Sequence, residues 1–132
     1  MVRRAMCNGF ATRLASSALL LALLAPLALA QSVRLVVQSS PLAGFRYHGA
    51  QELWGELGVG DVLTLERERD NPHDANAVSV AWRGHKLGYV PRRENALLAW
   101  SLDRGERLRA RISRLRPHPN PARRLEFEVY IE

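Results

Sequence analysis

The stretch over residues 65–91, LERERDNPHDANAVSVAWRGHKLGYVP, carries the clearest structural information in this chain. It predicts a strand ending in charged residues, a polar turn over residues 70–74, a half-buried strand over residues 77–82 and a return strand over residues 86–90. Short turns need only one or two Gly, Asn or Asp residues to reach their backbone angles. Five consecutive polar or rigid residues therefore indicate that this turn also contributes to a site.

The first thirty residues predict a signal peptide that is separate from the fold. Basic residues precede an apolar run over residues 14–24, and Ala28-Leu29-Ala30 has the small-x-small pattern of a cleavage site before Gln31. The run is too short to span a bilayer comfortably, so we expect a periplasmic or secreted chain without stable membrane insertion after cleavage. A retained membrane anchor is the alternative, disfavoured because no charged residue follows the run until Arg34.

The mature chain, residues 31–132, is long enough for one domain with a modest core. It contains no cysteine, because Cys7 lies in the predicted signal, so it has neither a disulfide nor a thiolate metal site. The nineteen basic residues include three in the signal, which leaves sixteen against thirteen acidic residues. This modest positive charge permits binding to a polyanion but does not establish it.

The rest of the mature chain predicts further strands and one helix. Strands are expected over residues 33–38 and 62–66, and a helix over residues 91–103 that begins at Pro91 and stops before Gly105. Two alternating segments, joined by a Pro-rich connector, predict a C-terminal hairpin. We therefore expect a mainly β fold, a small closed or half-closed barrel with the helix inserted before the last hairpin.

The predicted helix has an apolar face that would pack on the barrel. Leu98 and Leu102 share this face with Asn95 and Ala99, and we expect Leu97 and Trp100 to widen it.

Arginines are concentrated near the C-terminal hairpin, which alone would indicate a phosphate-binding stripe. The alternation favours ion pairs across the hairpin instead, because one strand would present arginines and its partner glutamates. The residues concerned are Arg107, Arg109 and Arg111 on the first strand, with Glu126, Glu128, Tyr130 and Glu132 expected to face outward on the second.

Two basic segments are candidates for binding an anion. Arg46-Tyr47-His48 places an arginine beside flat rings, a combination that can stack a base and contact a phosphate, although Tyr47 and His48 could equally belong to the core. Arg92 and Arg93 lie at the expected helix start, where backbone N–H groups favour an anion. The alternative is that both arginines simply project into water.

A metal site and a catalytic site are both disfavoured. Asp70, His73 and Asp74 could ligate a divalent ion together with His48 or His85. No known metal spacing is matched, however, and Asp or Asn in a turn usually binds its own backbone. The sequence also has no recognisable triad, P-loop or glycine-rich nucleotide loop. We therefore expect no metal, no cofactor and no catalytic residue.

Three motifs carry a family resemblance: Gly44-Phe45-Arg46-Tyr47, the turn Asn71-Pro72-His73-Asp74-Ala75-Asn76-Ala77-Val78, and Leu87-Gly88-Tyr89-Val90-Pro91. Together they resemble the HIRAN domain family over almost the whole mature chain, residues 31–132. The resemblance implies an OB-like or SH3-like β barrel. It also implies a non-enzymatic nucleic-acid-binding module, because the best-understood relative grips single-stranded DNA by its 3′ end. Hydrolase or zinc activity in the family would belong to fused domains.

The resemblance also implies a binding site and a ligand. Arg46 and Tyr47 would contact phosphate and stack a base, Asp74 would accept a hydrogen bond from a terminal sugar hydroxyl, and Arg92 would hold a phosphate. The complete expected site is Arg46, Tyr47, His48, Asn71, His73, Asp74, Tyr89 and Arg92.

The chain also departs from that DNA-end binder. His48 and His73 stand where it has aromatic residues, and Asp70 adds negative charge. For an exported chain the partner would be single-stranded DNA or another polyanion met outside the cytoplasm. The alternative is a periplasmic or envelope protein-interaction module that keeps the barrel without binding DNA.

Overall fold

The computed structural model describes residues 33–131, so the predicted signal peptide lies outside the described residues and stays a prediction. Six antiparallel strands form one sheet in the order β1-β6-β5-β2-β3-β4. The elements are β1 (Leu35–Pro41), β2 (Val62–Arg67), β3 (Val78–Trp82), β4 (His85–Tyr89), α1 (Ala96–Asp103), β5 (Leu108–Leu115) and β6 (Leu125–Ile131). The predicted mainly β fold, with one helix before the C-terminal hairpin, is confirmed.

Within residues 33–131, the strand ladders do not close the sheet into a complete barrel. The two edges are joined instead by a single bridge, in which Ala43 and Tyr89 exchange two backbone hydrogen bonds of 2.9 Å. The segment after Ala43 then runs alongside β4, where the Gly49 N–H donates to the Lys86 carbonyl at 2.9 Å. This half-closed arrangement brings the Arg46-Tyr47-His48 segment beside the end of β4.

The helix begins later than the sequence predicts. Arg92–Glu94 form a short 3₁₀ turn, and α1 starts at Ala96. The buried face of α1 includes Leu98 and Ala99, but Leu97 is 70% exposed and Trp100 is 55% exposed. The expectation that these two residues widen the apolar face was wrong, because a rotation of about 100° per residue turns them towards solvent. No helix in the described part of the chain is long and apolar enough to cross a bilayer.

The first strand is displaced relative to the prediction of residues 33–38, since β1 begins at Leu35 and ends at Pro41. Ser39, Ser40 and Pro41, which follow the predicted strand, pair with β6. Ser40 is buried and donates its hydroxyl proton to the Glu94 carboxylate at 2.8 Å. This hydrogen bond compensates for the burial of the Ser40 hydroxyl, which would destabilise the strand if it had no partner.

Of the three arginines expected to pair across the C-terminal hairpin, Arg111 forms the predicted ion pair, whereas Arg109 lies opposite Tyr130 and Arg107 precedes β5. Arg111 lies opposite Glu128, and their charged groups are 3.1 Å apart. A bulge between Ile112 and Arg114 then places Arg114 opposite Glu126, at 4.0 Å. Tyr130 lies on the same strand face as Glu128, as the alternation predicts, but it is buried there because the guanidinium groups of Arg34 and Arg111 lie over its ring. Arg111 and Arg114 therefore have a structural use in the hairpin.

Candidate nucleic-acid interface

Six of the eight expected site residues line one cavity of about 370 Å³. The turn after β2 contributes three of them, the end of β4 contributes Tyr89, the segment after β1 contributes His48, and the 3₁₀ turn before α1 contributes Arg92. Ala43, Ala77 and Val90 complete the lining. We call this the terminal cavity; its polar members are His48, Asn71, His73, Asp74, Tyr89 and Arg92.

The polar residues of the turn first of all build the turn. The Asn71 side-chain oxygen accepts hydrogen bonds from the backbone N–H groups of His73, at 2.9 Å, and Asp74, at 3.2 Å. Asp74 Oδ1 in turn accepts from the Asn76 N–H at 3.0 Å. Such side-chain-to-backbone bonds fix a turn conformation. The geometry therefore holds Asp74 in a defined position at the edge of the terminal cavity.

Asp74 is further held by two residues from the segment before α1. Its Oδ2 accepts a hydrogen bond of 2.7 Å from the side chain of Asn95, which is 1% exposed. Arg92 Nε lies 3.8 Å from the same oxygen, and another Arg92 nitrogen donates to the His73 carbonyl. A carboxylate offers about four lone-pair positions, so these partners leave acceptor capacity. The sequence analysis assigned Asn95 to the apolar face of the helix and did not predict its hydrogen bond to Asp74. A single amide among apolar residues was the feature that could have indicated a buried polar partner.

Tyr89, which lines the terminal cavity, is held by two residues outside that lining, Glu68 and Lys86, which the sequence analysis missed. The Tyr89 hydroxyl donates to Glu68 at 2.9 Å, and Lys86 Nζ donates to both Glu68, at 2.7 Å, and Tyr89, at 3.1 Å. Partial burial opposes ionisation of Glu68, but hydrogen bonds from Lys86, Tyr89 and Asn71 hold its pKa below the usual range. The hydrogen bond to Glu68 raises the pKa of Lys86. This network fixes the Tyr89 ring.

His48 contacts that ring edge-on, with centroids 5.3 Å apart and an interplanar angle of 67°. Partial desolvation, followed by the nearby Lys86 charge, lowers the pKa of His48 below 6.5, while Glu68 acts in the opposite direction. His48 is therefore mainly neutral at pH 7. It offers the terminal cavity an aromatic surface and not a positive charge.

We expect NMR titration of the imidazole protons to give a pKa for His48 below 6.5. Lys86→Met should raise this pKa, because it removes a nearby positive charge, whereas Glu68→Gln should lower it further. The pKa of His48 is lower in the folded than in the unfolded state, so the neutral imidazole contributes to the stability of the fold. This contribution should be fully present above pH 6.5 and should be lost as the pH falls through the folded-state pKa. Equal pKa values in both variants would contradict the assignment.

Arg46 and Tyr47 lie at a second cavity of about 540 Å³, together with Pro119 and Pro121 of the connector between β5 and β6. Tyr47 is 85% exposed, which rules out the core alternative for this residue, while the neighbouring Phe45 is buried. An exposed tyrosine beside an exposed arginine is a suitable stacking platform for a nucleobase. We call this the platform cavity.

A middle cavity of about 500 Å³ lies next to both. It shares Ala43 and Arg92 with the terminal cavity and Leu42 and Ala122 with the platform cavity. We call these three neighbouring cavities together the groove; six of the eight expected residues line its terminal cavity, and Arg46 and Tyr47 line its platform cavity.

The arginines of this groove do not lie at a helix N-terminus. Arg92 and Arg93 belong to the 3₁₀ turn before α1, so the expected helix-dipole contribution to anion binding was wrong. Their side chains are nevertheless 69% and 82% exposed, and both line the middle cavity.

The described residues hold no cluster of three or more His, Cys, Asp or Glu side chains suited to a metal ion.

Comparison with known proteins decides the family. The model of the HIRAN domain matches residues 35–132, nearly all of the chain after the predicted signal. The chain belongs to the HIRAN domain family. This family is generally associated with DNA binding, and the HIRAN domain is not itself catalytic.

Two crystal structures resemble this HIRAN domain. A protein from Lactobacillus plantarum is 30% identical, with a TM-score of 0.65 over 74% of this chain and 94% of that protein. The HIRAN domain of human HLTF is 18% identical, with a TM-score of 0.51 over 76% of this chain and 80% of that one; at this identity it supports the fold alone. Among curated proteins, none matches this chain significantly.

Proposed function

We propose that this HIRAN domain binds the 3′ end of single-stranded DNA in its groove, without catalysing a reaction. One observation carries the proposal: the groove has an oriented carboxylate at one end and an exposed tyrosine with an arginine at the other. That arrangement gives the site a direction, which a uniform positive surface would lack.

The terminal cavity would recognise the 3′ end of the strand. Asp74 is 20% exposed and keeps acceptor capacity, so it can accept a hydrogen bond from the 3′-hydroxyl of the last sugar. The same negative charge repels a 3′-phosphate and disfavours continuous backbone at this position. Arg92 lies beside Asp74 and is 69% exposed, and it would bind the last internucleotide phosphate.

The platform cavity provides affinity that does not depend on the end. Tyr47 can stack a base, and Arg46 can neutralise a phosphate nearby. With export as residues 1–30 predict, the DNA would be met outside the cytoplasm.

The test compares two oligonucleotides of one sequence, ending in a 3′-hydroxyl or a 3′-phosphate, by fluorescence anisotropy at fixed ionic strength. We expect at least about tenfold tighter binding of the hydroxyl form, because a charge-assisted hydrogen bond is worth roughly 1.5–3 kcal/mol. Asp74→Asn, which removes the charge and keeps the side-chain shape, should abolish most of this preference.

Glu126→Gln is the matched control, since it removes one negative charge on the C-terminal hairpin, where Glu126 pairs with Arg114. It should leave the preference for the 3′-hydroxyl unchanged. Equal binding of both oligonucleotides by the unmodified domain would refute end recognition. Absence of binding to any single strand would favour the protein-interaction alternative.

A further inference from the structure

The 3₁₀ turn Arg92–Glu94 carries one arginine of the terminal cavity and leads directly into Asn95. The turn is short: the Glu94 N–H donates to the Pro91 carbonyl at 2.9 Å, and no described side chain caps its start. Hydrogen bonds in a 3₁₀ turn have poorer geometry than those of an α-helix, so such a turn is weakly held by its own bonds. Contacts with other elements must therefore fix its position.

Strand β1 supplies these contacts. The buried Ser40 hydroxyl donates to Glu94 Oε2 at 2.8 Å, and the Gln38 amide donates to the Glu94 carbonyl at 3.0 Å and to Ser40 Oγ at 2.8 Å. Glu94 is thus held by its side chain and by its backbone. Ser40 in turn is paired with the buried Phe127 of β6, which anchors it in the sheet. Gln38, Ser40 and Glu94 all lie outside the linings of the three cavities.

The next residue along the chain connects this contact to the groove. The Asn95 amide is 1% exposed and donates to Asp74 Oδ2 at 2.7 Å, while the Asn95 carbonyl accepts the Ala99 N–H of α1 at 2.8 Å. Consecutive Cα atoms are about 3.8 Å apart, so the position of Glu94 largely sets that of the Asn95 amide. A shift of the turn by about 1 Å would stretch the bond to Asp74 beyond the usual range of about 2.7–3.2 Å.

We propose that Ser40 and Glu94 are positioning residues for the recognition of a 3′-hydroxyl, although neither lines the groove. The inference rests on the proposed function, in which Asp74 accepts a hydrogen bond from that hydroxyl. With Asn95 on Oδ2 and the Asn76 N–H on Oδ1, the carboxylate has one orientation, and its remaining lone pairs point in fixed directions. Without the contact to β1, Asp74 keeps its charge but loses one of the bonds that orient it.

The test compares the affinities of two oligonucleotides of one sequence, ending in a 3′-hydroxyl or in a 3′-deoxy nucleotide, which lacks the hydroxyl and adds no charge. For the unmodified domain we expect at least about fivefold tighter binding of the hydroxyl form, because the hydrogen bond to Asp74 is charge-assisted. Ser40→Ala should reduce this ratio to less than about twofold. It should leave the affinity for the 3′-deoxy strand within about twofold, since Arg46 and Tyr47 are unchanged.

Ser79→Ala is the matched control for this change. Ser79 is also a buried strand serine, 2% exposed like Ser40, but its hydroxyl donates to the Glu66 carbonyl on β2 at 3.3 Å. The control should keep the ratio of the unmodified domain. At position 94, Glu94→Gln retains an acceptor for the Ser40 hydroxyl and should keep the ratio, whereas Glu94→Ala should lose it. Both changes remove the same charge, so the difference between them reports the hydrogen bond.

A second measurement needs no DNA. Hydrogen exchange of the Asn95 side-chain amide, followed by NMR, should be slow in the unmodified domain and in Glu94→Gln. It should be faster in Glu94→Ala, because the bond to Asp74 opens more often. Equal exchange in all three proteins overturns the inference, and so does an equal loss of affinity for both oligonucleotides in Ser40→Ala.

The outcomes also separate this inference from the proposed function. If the unmodified domain prefers a 3′-hydroxyl over a 3′-phosphate but Ser40→Ala keeps the ratio measured with the 3′-deoxy strand, this inference alone is overturned. If the unmodified domain binds the hydroxyl and phosphate forms equally, the proposed function is overturned and this inference with it.

Discussion

Replacing Gly88 by alanine is expected to destabilise the domain by about 3 kcal/mol, at the upper end of the cost of overpacking a core. Gly88 is buried in β4, and a Cβ atom there would overlap the backbone carbonyl oxygen of Ala43 and come within 3.1 Å of the buried Leu42 side chain. That carbonyl accepts the Tyr89 N–H in the bridge between the sheet edges. The backbone must therefore move, and the bridge is the contact that would be lost.

Urea denaturation followed by circular dichroism measures this loss, and Gly55→Ala provides the control. Gly55 has no atom within 4 Å of the position of an added Cβ, and its φ is not positive, so this change should be neutral or slightly stabilising. Similar transition midpoints for Gly88→Ala and Gly55→Ala would show that β4 can move away from Ala43 at little cost.

Tyr47→Ala should weaken single-stranded DNA binding at least about fivefold, since stacking one base on an aromatic ring is worth roughly 1–3 kcal/mol. The same change should leave the melting temperature within about one degree, because the side chain is 85% exposed and buries little surface on folding. Anisotropy titrations and thermal melts on the same samples separate the two effects. Tyr47→Trp should retain affinity, because it keeps a stacking surface.

Trp100→Ala tests whether any exposed aromatic would give the same result. Trp100 is 55% exposed on α1, its ring lies under the Arg104 guanidinium at 3.8 Å, and it does not line the groove. Its removal should leave DNA affinity unchanged. If Trp100→Ala weakens binding as much as Tyr47→Ala does, the groove is not the binding surface.

Local patterns predicted most of the fold because they depend on neighbours in sequence. The alternation of Val78, Val80 and Trp82 correctly predicted a buried strand face, and Gly105, with a φ of 82°, ends the helix as expected. The start of the helix was predicted wrongly, since Pro91 is compatible with a 3₁₀ turn as well as with an α-helix.

The partners of the candidate site could not be predicted because they come from distant parts of the chain. Asp74 and Asn95 are separated by 21 positions, and so are Glu68 and Tyr89. The motifs indicated which residues belong to the region, but only the folded sheet shows which of them are already engaged. Asn71 is an example: its side chain mainly holds the turn.

The pairing of β1 with β6 has a consequence for how the protein is made. Among the described residues, β1 is the first strand and its partner in the sheet, β6, is the last, with Leu35 opposite Ile131. During synthesis, β1 therefore has no strand to pair with until residues 125–131 have left the ribosome. Completion of the sheet depends on a contact between the two ends of the domain, and contacts of such long sequence separation slow folding.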